Sequence, residues 1–179
     1  MLQKYNKWKV LKVFFENPNP EGAGFQLREI GRVTNLATTS VKKYLNELVN
    51  EELIIISKHR IHAYPVYWAN TDSEKFRFLK KIDTIMTLKD SGLIEFLENK
   101  CMPDVIILFG SASRGEDTIK SDIDLYLMCK ERKMDLQDFE KKIKRKISLL
   151  FSNDIGELSN ELKNNIINGT ILKGYLKVF

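Results

Sequence analysis

The sequence predicts an α/β (α+β) chain in two parts, a helical N-terminal unit closed by a β-hairpin and a C-terminal unit built on a small mixed sheet. Three observations predict it. The first fifty or so residues repeat apolar side chains at helical spacing and lead into two runs rich in β-branched and aromatic residues. Val105 to Phe109 is a continuous apolar run, after which Ile123, Leu125 and Leu127 alternate with Asp122, Asp124 and Tyr126. Between the two parts, Phe78, Leu79, Ile82, Ile85 and Met86 form one apolar helical stripe. The expected boundaries are residues 1–70, a connecting helix within 71–92, and 93–179.

In chain order, Trp8, Leu11, Phe14 and Phe15 fit one face of a first helix, and the Pro- and Gly-rich stretch from Asn17 to Gly24 forces a turn. A second helix is expected from about Gln26 to Val33 with Leu27 and Ile30 inward. After Thr34-Asn35-Leu36, a third from about Thr38 to Glu51 places Val41, Tyr44, Leu45 and Leu48 on one side. A short helix, tight turn and longer helix make a helix-turn-helix candidate. Leu53 to Ile56 and Tyr64 to Trp68 read as paired strands, with Pro65 favouring an edge.

Thr71 and Glu74 have capping-box spacing ahead of the connecting helix, which Ser91-Gly92 should end. That helix must bury its stripe, either between the domains or in a homodimer. In the second part, Leu93 to Leu97 opens a helix, and Leu136, Phe139 and Ile143 line another. Ile147 to Phe151 is a strand candidate. Leu158, Leu162 and Ile166 mark a last helix, Gly169 its C-cap, and Ile171-Leu172 a final strand or turn. The basic run Lys141 to Lys146 is expected to be a solvated face near a helix C-terminus, where the dipole favours cations.

The chemistry concentrates between Leu108 and Leu125. Asp122 and Asp124 alternate with apolar residues, so both carboxylates point the same way on a strand. Carboxylates that close repel unless a cation lies between them. Mg²⁺ fits, because it takes oxygen ligands and binds through one or two carboxylates plus substrate phosphates. Gly110 and Ser111 directly follow the first strand, where free backbone N–H groups can cradle a triphosphate.

With Gly110-Ser111, Arg114-Gly115, Ser121-Asp122 and Asp122-Ile-Asp124-Leu125 at this spacing, residues 93–179 resemble the DNA polymerase beta-like nucleotidyltransferases, most closely the small prokaryotic minimal nucleotidyltransferases. The resemblance implies that Gly110, Ser111, Arg114 and Ser121 belong to the nucleotide site. It also implies that Asp122 and Asp124 are the catalytic, Mg²⁺-binding pair, with ATP or another NTP as ligand or substrate. Active members carry a third carboxylate on a following strand. Here Ile147 to Phe151 contains no acid, Ser148 stands about where it is expected, and Asp154 and Glu157 fall beyond the strand.

The order of three helices and a hairpin similarly resembles a winged helix-turn-helix of prokaryotic transcription regulators. In such modules the third helix enters the major groove, often from a dimer on paired half-sites. The resemblance implies double-stranded DNA as a partner, with Thr38, Thr39, Ser40, Lys42 and Lys43 facing it and Lys58 and Arg60 at the hairpin tip. Charge agrees: of a net charge of +5, residues 1–70 supply ten Lys or Arg against six Glu and no Asp.

Composition excludes several classes. No apolar run reaches the roughly 18 residues of a membrane span, and the start of the sequence lacks a signal-peptide core, so a cytoplasmic protein without membrane contact is expected. Cys101 and Cys129 read as separate buried thiols, and His59 and His62, the only histidines, argue against a zinc centre. Two readings follow. The protein transfers a nucleoside monophosphate, most plausibly AMP, to a hydroxyl of a protein or small molecule. Alternatively it is a DNA-binding regulator whose weakened or inactive transferase fold serves as nucleotide sensor or docking surface, as in an antitoxin paired with a partner toxin.

Overall fold

The computed structural model describes residues 5–18 and 24–177. The turn expected from Asn17 to Gly24 lies largely outside them. The chain divides into two compact units, residues 1–80 and 81–179.

In the first unit, α1 (Asn6–Glu16), α2 (Leu27–Thr34) and α3 (Thr38–Asn50) precede an antiparallel hairpin of β1 (Ile54–Lys58) and β2 (Pro65–Ala69). The helices form because their apolar residues recur on one side: Val10 and Phe14 of α1, Ile30 of α2, and Val41, Leu45 and Leu48 of α3 are fully buried together. The turn between α2 and α3 depends on Asn35, whose left-handed backbone (φ 54°) ends α2. The Thr34 hydroxyl donates to the Ile30 carbonyl at 2.7 Å. Lys7 pairs with Glu51 and, at 3.2 Å, with Glu47, tying α1 to α3. Both tryptophans, Trp8 and Trp68, belong to this unit.

Helix α4 (Glu74–Asp90) contributes to both cores, Phe76 and Leu79 to the first and Ile85 and Leu88 to the second. Two expectations about it are corrected. The helix starts at Glu74, so its cap is Ser73, which accepts from the Phe76 N–H at 3.4 Å, and Thr71 lies outside it. Phe78 is 60% exposed while Phe76 is fully buried, because the inward side at this end runs through Phe76 and Leu79, three residues apart.

The second unit is a four-stranded mixed sheet in the order β5-β4-β3-β6. Its strands are β3 (Val105–Phe109), β4 (Ile123–Met128), β5 (Ile147–Ser152) and β6 (Thr170–Gly174). β3 runs antiparallel to β4 and β6, and β4 runs parallel to β5. One face packs Ile106, Leu108, Leu125 and Leu127 with Leu93 and Leu97 of α5 (Leu93–Cys101) and with Phe139 and Ile143 of α7 (Gln137–Ile143). The other packs Val105, Ile107, Tyr126 and Met128 with Ile155 and with Ile166 of α8 (Asn160–Ile167). Side chains buried this fully contribute roughly 1.5–3 kcal/mol each over exposure, which fixes the sheet between its helices.

Two local expectations in this unit change, and a third, open between strand and turn, resolves to a strand. α8 begins after Ser159, whose hydroxyl accepts from the Leu162 N–H at 3.3 Å, so Leu158 precedes the helix. The C-cap is Asn168, and Gly169 is needed for space instead: a Cβ there would stand 2.7 Å from Ile107 Cγ2 and from the Leu108 carbonyl oxygen. Ile171-Leu172 belongs to a full strand, β6, against β3. Cys101 is buried, Cys129 half-buried, and both are free thiols.

Candidate functional site

β3 ends at Phe109 and turns without a loop into the single-turn helix α6 (Gly110–Arg114). Gly110 makes the turn possible. Its φ of +70° is left-handed, and a Cβ there would lie 2.5 Å from Asp124 Oδ2. Phe109 pairs with Asp124 across the antiparallel ladder, so the first residue of the turn meets the carboxylate of the neighbouring strand. The Ser113 hydroxyl donates to the Gly110 carbonyl at 2.8 Å and Gly115, at φ +69°, closes the helix.

Asp122 is exposed just ahead of β4, and Asp124, two residues on, is half-buried. Strand alternation puts them on one side. Burial pushes the Asp124 carboxyl above its ordinary value, the Asp122 charge adds to the rise, and Arg145 opposes it. The pair is therefore strained electrostatically and suited to a cation.

In the parallel ladder Asp124 is registered with Ser148 of β5, which sets the Ser148 side chain beside Asp124 on the same face. Ser148 is exposed and brings a hydroxyl where an acid would complete a three-carboxylate set. Asp154 is engaged elsewhere, as its Oδ1 accepts from the Gly156 N–H at 2.6 Å and caps the turn after β5. Among the described residues, no three His, Cys, Asp or Glu side chains gather into a metal-binding group. Two carboxylates remain, which is the donor set Mg²⁺ uses when phosphates complete its shell.

The other nucleotide-site candidates are placed differently. Ser111 is half-buried in the first turn of α6. Arg114 is exposed and its Nε donates to Glu116 Oε2 at 2.7 Å. The Ser121 hydroxyl accepts from the Thr118 N–H at 2.9 Å, so its side chain is used in closing the loop before β4.

Sequence reasoning missed Arg145. The solvated reading suits much of the basic run: Lys141 pairs with Asp138 at 3.6 Å, Lys142 lies 5.5 Å from the Phe139 ring centroid, and Lys146 pairs with Glu140 at 2.8 Å. Arg145 departs from it. α7 ends at Ile143, Lys144 turns left-handed (φ 60°), and the Arg145 side chain folds inward to 14% exposure against the buried Asp117. No local signal marked the pair, since the burial of Asp117 shows only in the fold.

In the first unit, Thr38, Thr39, Lys42 and Lys43 are exposed on the opening turns of α3, and Ser40 is half-buried. Lys58 ends β1 and Arg60 lies in the hairpin turn, both exposed. An open groove of about 680 Å³ alongside is lined by Gln26, Arg28, Gly31, Arg32, Asn35, Leu36 and Thr38, which adds Arg28 and Arg32 to the expected cations. Their i, i+4 spacing on α2 could have revealed them. None of Arg28, Arg32, Lys42, Lys43, Lys58 or Arg60 has an ion-pair partner among the described residues, in contrast to Lys7 and Lys75, which share Glu51.

No helix among the described residues is long and apolar enough to cross a membrane. Residues 91–176 match the family described as polymerase beta, nucleotidyltransferase. Neither the curated proteins nor the solved structures give a match.

Proposed function

We propose, from a chain whose residues 91–176 form a nucleotidyltransferase domain, that the protein is a DNA-binding regulator holding an Mg-NTP at the β3–α6 turn, with slow nucleotidyl transfer at most. The observation that carries the reading is the register of Asp124 with Ser148, which supports a proposed metal-binding pair of Asp122 and Asp124 with a hydroxyl in place of a third acid. Asp122 and Asp124 would hold Mg²⁺, which when bound neutralises charge on the transferred phosphate. The α6 backbone N–H groups would face the phosphates, and Gly110 lets that backbone come close to Asp124. A carboxylate that takes the proton of an attacking hydroxyl contributes about 10² to 10⁴ in rate. Ser148 is neutral and does not take that proton, so binding outlives turnover.

Titrating ATP and Mg²⁺ calorimetrically into the wild-type chain and the Asp122→Asn, Asp124→Asn double variant tests the site, with Mg²⁺-dependent binding expected only in the wild type. Incubation with α-labelled ATP, with and without candidate acceptors, tests turnover. The second reading, transfer of AMP to a protein or small-molecule hydroxyl, is favoured by the retention of both Asp122 and Asp124, and rapid labelling would establish it.

The DNA part rests on the order of three helices and a hairpin, that of a winged helix-turn-helix, and on the cations of α2, α3 and the hairpin that have no ion pair among the described residues. Thr38, Thr39 and Ser40 would touch base edges, and Lys42, Lys43, Lys58 and Arg60 would meet phosphates. Paired half-sites would call for a homodimer, and an antitoxin-like role would add a toxin as acceptor or docking partner.

A further inference from the structure

Arg145 donates four hydrogen bonds into the loop that delivers Asp122. Its Nη1 reaches Asp117 Oδ2, its Nε and Nη2 reach the Ser121 carbonyl oxygen at 2.9 and 2.7 Å, and its Nη2 also reaches the Asp122 carbonyl oxygen at 3.2 Å. The fork thus fastens the backbone on which the Asp122 side chain is mounted. It approaches from the turn between α7 and β5, the strand that carries Ser148, and Asp117 is only 2% exposed.

We infer that Arg145 is a positioning residue for the nucleotide site: it holds the Thr118–Asp122 loop so that Asp122 stays beside Asp124 while a metal-bound nucleotide enters and leaves. The inference rests on the Mg-NTP reading but adds a residue outside the family motif. The geometry demands arginine. A planar guanidinium spans a carboxylate and two successive carbonyls at once, whereas the compact ammonium of lysine keeps the charge near Asp117 without the fork. Asp122 is exposed, and no side-chain hydrogen bond to it is present among the described residues, so its backbone carries the restraint.

Arg145→Lys is the test, in the full-length chain, with two readouts. The first is Mg²⁺-dependent ATP affinity by calorimetry, expected to fall about tenfold, the lower end of what losing a residue that orients a metal ligand costs. The second is amide hydrogen exchange without ligand, expected to accelerate at residues 118–122 and not in β3 or β4, with the urea midpoint close to the wild type. A purely structural role would lower the midpoint and loosen the sheet as well. Should Arg145→Lys not fold, the pair Arg145→Gln with Asp117→Asn removes both buried charges together and carries the same readouts. Wild-type ATP affinity in a folded variant, or unchanged exchange at 118–122, overturns the inference. A wild-type chain that binds no nucleotide defeats the Mg-NTP reading, and the exchange result then decides the loop role by itself.

Discussion

Asp124 carries the conflict at the centre of this site. Its carboxyl titrates above the ordinary 3.8 because burial and Asp122 disfavour its charge, with Arg145 opposing. For an acid whose folded value is raised, the folded state binds the extra proton between the two values, so the ligand-free protein loses stability as pH climbs from about 3.8 through the raised value. Asp124→Asn removes that charge. The variant is expected to melt a few degrees higher than the wild type at pH 7 without Mg²⁺, and to lose this advantage near pH 3, where Asp124 is protonated in both states; scanning calorimetry at the two pH values checks it. Ser148→Asp works in the opposite sense, adding a carboxylate beside Asp124. It is expected to raise α-labelled ATP transfer by about 10² or more in the presence of Mg²⁺, while lowering the melting temperature in its absence. Ser148 was legible because strand alternation and an acid-free run of five residues fix its parity. Arg145 was not, since nothing local separates it from the lysines around it; only the left-handed turn at Lys144 and a partner 28 positions earlier turn it inward.

At the level of elements, α2, α3 and the hairpin tip share a surplus of cations without acidic partners among the described residues, and counterion release sets what that predicts. Each phosphate that a side chain no longer neutralises lowers the salt slope of DNA binding by about 0.9 log unit. Neutralising Lys42, Lys43, Lys58 and Arg60 one at a time is expected to weaken binding to every duplex and flatten the slope stepwise, and Arg28→Gln and Arg32→Gln should do the same from α2. Thr38→Ala and Thr39→Ala should change sequence preference with the slope intact. Anisotropy titrations on operator and scrambled duplexes at several salt concentrations separate the two classes. The helices themselves were readable because a 3.6-residue period survives in the sequence. The phase error at Phe76 and Phe78 arose in the first turn of α4, where Phe76, left out of the expected stripe, joins Leu79 in the first core. β6 was only half visible, because its pairing with β3 is made across more than sixty residues and leaves no local pattern.

For the whole molecule, α4 supplies side chains to each of the two cores. Eight or nine residues of helix are marginal alone, so each half of α4 depends on the core it enters, Phe76 and Leu79 on one, Ile85 and Leu88 on the other. A ligand stabilises what it binds. Mg-ATP is expected to raise the urea midpoint for exposing the thiols of residues 81–179, and to move the tryptophan transition of residues 1–80 by less; a duplex should do the reverse. Equal shifts on both probes would mean that α4 welds the chain into one cooperative block. Cys129 suits this role. Burial, with Cys101 beside it, pushes its thiol up to about 11, so near pH 8 only about a thousandth is thiolate and alkylation waits on unfolding.

The placement of both indoles in one unit and both thiols in the other equips the unmodified chain with two separately addressable reporters. Emission follows one half and thiol chemistry the other. A single sample, without dyes or tags, can therefore be used to screen small molecules and oligonucleotides and to say which half each has engaged.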